Sequence, residues 1–251
     1  MHPYLSRLAI WLVICFSLAF TTAAQADESL ADMWFVTPNP GQSDQFEQAL
    51  KTHLRFRQQN EDPRQWQVFV QVLGDQMDTY VIRNCCFGWD EIDGYRAWSV
   101  EQQAGAHWQE TVAPLVATIS HNYSSLDVAN SHWPQDTSDY HYFGVTQYQI
   151  RPGHAAGVQS DVKALSEQAK AMEWPYHWSW SRPVAGAPSL MLVIPYRDHS
   201  AMAPADPNFF EALKQHMNSE KRAAKLMESW SSHFSATRYD VYRLRQDLSA
   251  R

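Results

Sequence analysis

Trp66-Gln67-Val68-Phe69-Val70-Gln71-Val72-Leu73-Gly74-Asp75 is the stretch on which the fold turns. Trp66, Val68, Val70 and Val72 alternate with Gln67, Phe69 and Gln71, the period of a strand whose two faces meet different surroundings. Gly74 and Asp75 then turn the chain, and Thr79 to Cys86 reads as the returning strand of a hairpin. Upstream, Asp32 to Pro38 reads as a strand. Ser43 is placed to cap a helix in which Phe46, Ala49, Leu50, His53 and Leu54 recur at helical spacing. Downstream, a helix carries Trp108, Val112, Leu115 and Ile119, and Tyr123 to Val128 is read as a closing strand. The order is βαββαβ.

The same order recurs further on. Pro40-Gly41 matches Pro152-Gly153, Trp66 matches Trp178, Gly74 matches Gly186, Val81-Ile82 matches Val193-Ile194, and Ser120-His121 matches Ser232-His233, all at an offset of 112 residues. In the second copy Tyr142 to Ile150 is a strand, and Val158, Val162, Leu165, Ala169 and Met172 stripe a helix. His177 to Arg182 and Leu190 to Ile194 form the hairpin, a long helix runs from Asn208 to Trp230, and Arg238 to Leu244 is the last strand. The chain divides into a leader at 1–26, a first repeat at 27–129, a linker at 130–141 and a second repeat at 142–251.

A βαββαβ unit makes an antiparallel sheet with two helices on one face and leaves the other face bare. Two copies cover each other. The expected class is therefore α+β: a tandem duplication of a ferredoxin-like unit, with two antiparallel sheets packed as an intrachain barrel and the helices outside. This order resembles the dimeric α/β-barrel superfamily, and Phe87-Gly88-Trp89-Asp90-Glu91-Ile92-Asp93-Gly94-Tyr95-Arg96-Ala97-Trp98 is similar to its strand-to-helix passage. The second copy departs there, with Tyr196-Arg197-Asp198-His199 followed by a Pro-containing loop.

Residues 1–26 read as a cleavable export signal. Arg7 is followed by an apolar run from Leu8 to Phe20, broken only by Ser17, and Ala24-Gln25-Ala26 offers a cleavage site after Ala26. A periplasmic or secreted location follows, with no membrane anchor after cleavage. Removing Arg7 leaves 19 basic against 27 acidic residues, a net charge of −8. That balance argues against nucleic acid and anionic membranes as partners. Cys85 and Cys86 remain; on an extended strand they point to opposite faces, so one is expected buried and the other free, with a vicinal disulfide as the alternative. Neither spaced Cys pairs nor His pairs at helical spacing occur, and no metal site is expected.

There is no nucleophile elbow, P-loop, zinc-protease helix or dinucleotide fingerprint. Binding is therefore read from side-chain placement. Gln67, Phe69, Gln71 and Arg83 fall on the barrel-facing strand positions, where the polar groups either orient a ligand beside Phe69 or form a hydrogen-bonded network that pins the two sheets together. Trp174, Trp178 and Trp180 form an aromatic cluster beside Tyr176 and His177. His107, His121 and His233 read as exposed or helix-capping residues.

Three functions stand open. The chain binds a small apolar or aromatic ligand, or it is a protein-interaction module, or it is an enzyme. The resemblance implies ligands held between a sheet and its helices or inside the barrel. It also implies, for the enzyme, a cofactor-independent monooxygenase or a haem-handling protein, with His53, His177 and Tyr80 as candidate catalytic residues. A monomer is expected, since the fused repeats supply both halves of the barrel.

Overall fold

The computed structural model describes residues 29–249; the export signal read at 1–26 lies outside them. The first repeat runs β1 (Ser29–Pro38), α1 (Ser43–Gln59), β2 (Gln67–Leu73), β3 (Tyr80–Phe87), α2 (Glu91–Glu101), α3 (Ala104–Thr111) and β4 (Val116–Leu126). The second runs β5 (Tyr142–Ile150), α4 (Ala155–Ala171), β6 (Ser179–Pro183), β7 (Ser189–Tyr196), α5 (Phe209–Met217), α6 (Glu220–Ser232) and β8 (Phe234–Leu244). Among these helices none is long and apolar enough to cross a membrane.

The eight strands close into one antiparallel barrel in the order β1-β3-β2-β8-β5-β7-β6-β4. Within each repeat the last strand lies beside the first, and its other edge crosses to the opposite repeat. Gln71 of β2 faces Tyr242 of β8, and Leu126 of β4 faces Ser181 of β6. The two sheets therefore join edge to edge as well as face to face, and the duplicated α+β fold stands.

The pleat sorts the side chains as the alternation in β2 requires. Val68, Tyr80 and Ile82 pack with Phe46, Leu50 and Leu54 of α1 on the helix side. Phe69 and Val81 point inward and meet Phe143 and Tyr242 of the other repeat. A third cluster lies between the second sheet and its helices, built on Val158, Val162, Trp178, Trp180, Leu190 and Trp230.

Several local readings change. The helix read through Ile119 stops at Thr111, because Pro114 falls in a short 3-10 turn, and β4 begins at Val116. His121 is therefore a strand residue and not a helix cap, whereas His233 does follow the end of α6. The helix read from Asn208 to Trp230 is two. Asn218 takes a left-handed conformation after α5, and Ser219 caps α6 by accepting from the Arg222 amide. Gln42, not Ser43, precedes α1 as its cap residue.

Two of the repeat matches are coincidences of register. Tyr80 faces Val36 and Leu190 faces Tyr148, so β3 and β7 correspond at an offset of 110, not 112. Ser120-His121 lies within β4, whereas Ser232-His233 precedes β8. Cys85 and Cys86 are also corrected: a cis peptide joins them, their Cα atoms lie 3.0 Å apart, and the two sulfurs are bonded. The cis link turns both side chains together where an extended strand would separate them.

Candidate functional site

The Trp174 to Trp180 segment begins where α4 ends. Trp174 donates its backbone amide to Ala169, and the backbone groups of Trp178 pair with those of His132 in the linker. Strand alternation then turns Trp178 and Trp180 toward the helices and Ser179 toward the barrel. Leu192, Ile194 and Tyr196 of β7 and Tyr148 of β5 line the same side. Leu165, Ser166 and Ala169 of α4, Phe209 of α5, and Met227 and Trp230 of α6 face them. Met202 to Ala205, from the loop where the repeats diverge, close the remaining side.

These walls line a half-open cavity of about 350 Å³. Trp174, His177, Trp178 and Trp180, four of the residues singled out in the sequence, all line it. No Asp, Glu, Lys or Arg does. The indole N–H groups of Trp178 and Trp180 are satisfied within the protein, by the Asn130 carbonyl at 2.9 Å and the Ser166 hydroxyl at 3.0 Å. What these two rings offer a ligand is carbon surface. Burial pushes the Tyr148 hydroxyl up. Burial, reinforced by a hydrogen bond with Tyr239, does the same to Tyr196. Both phenols stay neutral, and the cavity is an uncharged aromatic chamber with a few hydroxyls at its walls. The Tyr176 hydroxyl donates to the Ala203 carbonyl at 2.8 Å and ties the covering loop down. His177 lies at the linker side, its Nδ1 3.2 Å from the His132 carbonyl.

The matching region of the first repeat is charged and smaller, a pocket of about 250 Å³ lined by Leu54, Arg57, Asp62, Arg64 and Trp66. Arg57 lies 5.1 Å from the Trp66 ring, the counterpart of Trp178, and 5.3 Å from Trp98 on α2. Arg64 sits over Tyr95 at 3.6 Å. Both cations line this pocket, where the second repeat has no charged side chain.

The other sequence candidates fall in separate places. His53 is buried on α1. Its Nδ1 lies 3.0 Å from His107 Nδ1, and its Nε2 lies 3.4 Å from an Arg57 nitrogen that can only donate. Burial, then the positive charge of Arg57, hold His53 down to about 3, so the ring is neutral. Tyr80 donates to Glu47 at 2.7 Å, and Arg245 holds the same carboxylate. Gln67, Phe69, Gln71 and Arg83 face the barrel interior. Arg83 bonds Gln67 at 3.2 Å, and Gln71 bonds Asp240 at 3.0 Å. Burial pulls the Arg83 guanidinium down to about 10. These four build contacts inside the barrel, apart from the tryptophan chamber.

Sequence reasoning missed the contact of Asp32 with Arg64 and His121. Asp32 Oδ2 is 2.5 Å from Arg64 Nη1, and Oδ1 is 2.8 Å from His121 Nε2. A buried acid in the middle of an apolar first strand was the signal available.

No family model matches the chain, and no curated protein matches it in sequence. Solved structures do. A candidate monooxygenase from Lactobacillus acidophilus NCFM superposes with a TM-score of 0.53 at 10% identity, over 89% of this chain and 96% of that one. An anthrone oxidase-like protein superposes at 0.54 and 10% identity, over 88% and 93%. A candidate monooxygenase from Fusobacterium nucleatum reaches 0.55 at 8% identity, over 87% and 93%. The fold is that of the dimeric α/β barrels. In this α/β barrel both halves come from one chain.

Haem, which the resemblance allows, does not fit the residues present. His53 has both ring nitrogens engaged. His177 is the one imidazole lining the chamber, and no Lys or Arg lines it to meet the propionates.

Proposed function

We propose that this α/β barrel binds a flat, largely apolar small molecule between the second sheet and helices α4 to α6. The uncharged chamber of about 350 Å³ walled by Trp174, Trp178, Trp180 and Trp230 carries the reading. Its volume falls in the range of small-molecule sites. Its rings gain dispersion and apolar burial from a planar guest, while the neutral hydroxyls of Tyr148 and Tyr196 offer orientation.

Ala169 lines the chamber, so Ala169→Trp fills it from α4. Tryptophan emission is titrated with a panel of planar aromatics, from naphthalene-sized to tricyclic, in the unaltered chain and in this variant. Saturable quenching in the first and none in the second is expected. Equal quenching in both would sink the proposal.

A second reading gives the same chamber a reaction. An anthrone oxidase-like protein and two candidate monooxygenases share the fold, and anthrone is a planar tricycle of the kind the chamber suits. Under this reading the chain is a cofactor-independent oxygenase, and His177 is the imidazole in the lining. Oxygen uptake with anthrone, compared between the unaltered chain and His177→Gln, tests it. An unchanged uptake rate would remove His177.

The binding reading includes export, with residues 1–26 removed after Ala26. The N-terminal sequence of the protein recovered from a bacterial periplasm should begin at Asp27; a product that starts at Met1 would overturn export.

A further inference from the structure

Asp32, Trp34, His121 and Tyr123 share the helix-facing side of the first sheet, because Asp32 faces Tyr123 and Trp34 faces His121 across β1 and β4. Asp32 is only 3% exposed. Its two carboxylate oxygens are divided between Arg64 Nη1 and His121 Nε2. The guanidinium can only donate, so the carboxylate accepts from it. In the neutral ring that donates from Nε2 to Asp32, the lone pair lies on Nδ1.

The ring is held in place. Trp34 stacks on it at 4.0 Å and 20°, and Tyr123 meets it edge-on at 5.1 Å. The His121 side chain is nevertheless 33% exposed. His53 and His233 differ: both nitrogens of each are engaged by protein groups. His121 alone among the three combines a carboxylate on one nitrogen with an outward-facing share of the ring.

Arg64 adds a second feature. It is 7% exposed, and its Nη2 is buried without a hydrogen-bond partner. Its guanidinium is stacked between Phe87 at 3.9 Å and Tyr95 at 3.6 Å. The guanidinium thus lies across one carboxylate from the partly exposed imidazole.

We propose that His121 is a general base at a second site, on the first repeat, for a small planar molecule with an acidic C–H or O–H. Nδ1 takes the proton, and the electron pair of the broken bond stays on the substrate. Asp32 fixes the tautomer and receives the positive charge the ring gains. Arg64 supplies positive potential for the anion. Returning the proton closes the cycle, with no oxidant or reductant.

The probe is 5-nitrobenzisoxazole. Removal of its ring C–H proton breaks the N–O bond and releases a coloured nitrile-bearing phenolate. The unaltered chain should turn it over faster than free imidazole at equal concentration. His121→Gln should lose at least ten-fold of that rate, and Asp32→Asn should lose most of it. His216→Gln, at an exposed position on α5, should keep it. A rate no higher than that of imidazole, or an undiminished rate in His121→Gln, overturns the proposal. If Asp32→Asn does not fold, for want of the charge that pairs Arg64, His121→Gln still decides, with its fold checked by circular dichroism.

Discussion

Gln71 donates from Nε2 to Asp240 Oδ1 at 3.0 Å, between two residues 169 positions apart and each no more than 3% exposed. Gln71 belongs to β2 and Asp240 to β8, the pair of strands that seals one seam of the barrel. Arg238 holds the other oxygen of Asp240 at 2.8 Å. Replacing Asp240 by Ala strands a buried amide and frees a guanidinium, a loss of about 3 kcal/mol. Urea unfolding should show it as a lower midpoint. An unchanged midpoint would mean that the seam is held by its backbone pairing alone.

Gly74 sits against the same pair. A Cβ there would lie 2.2 Å from Asp240 Oδ1 and 2.3 Å from Gln71 Nε2, and the backbone has φ of +124°. Gly186, its counterpart in the other hairpin, has φ of +94° but open space around it. Gly74→Ala should therefore cost about 3 kcal/mol, and Gly186→Ala about 1 kcal/mol. Thermal melts of the two variants side by side check the difference. Equal shifts would show that backbone strain outweighs the close approach.

His53 makes the fold acid-sensitive. Its folded value of about 3 lies below the ordinary value of 6.5. The unfolded chain takes up a proton first, so stability is fully present above pH 6.5 and falls as pH drops toward 3. By pH 4 the loss is on the order of 3 kcal/mol. The repeat mate of His53 is Leu165, and His53→Leu should flatten the decline in stability between pH 6.5 and pH 4. Denaturation midpoints across that range provide the test.

Under the proposed binding role, Tyr176 controls the exchange of ligand. The bond from its hydroxyl to Ala203 anchors the loop over the tryptophan chamber. Tyr176→Phe keeps the ring and removes the bond, worth about 1 kcal/mol. Dissociation of a planar ligand should quicken roughly five-fold, as measured by stopped-flow recovery of tryptophan emission. An unaltered rate would mean that ligands leave by another side.

Much of this was legible in the sequence, because it rests on local alternation. The period of two in β2 separated Val68 from Gln71, and the run from Trp174 to Trp180 announced an aromatic wall. What stayed hidden needed long-range contacts or a break in a local pattern. Asp32, Arg64 and His121 are 32 and 89 residues apart in their pairings, and no periodicity joins them. The helical spacing of Trp108, Val112 and Leu115 ran on to Ile119 and masked the 3-10 turn at Pro114. The Asn218-Ser219 break was smaller than the apolar stripe that spans it. A two-residue shift between the hairpins let Val81-Ile82 match Val193-Ile194 by accident.

The edges of the barrel also dictate the order in which this chain can be finished. The free edge of β2 waits for β8, and β4 waits for β6, so the first repeat emerges with both flanks unpaired and its inner face uncovered. Leu248, in the final turn, then docks into the core of the first repeat, and the Val68 amide donates to the Ser249 hydroxyl. A fragment cut at the linker would lack Leu248 from its core and would present two strand edges ready to pair with another molecule. The barrel's seams thus double as a guard against association of half-built sheets.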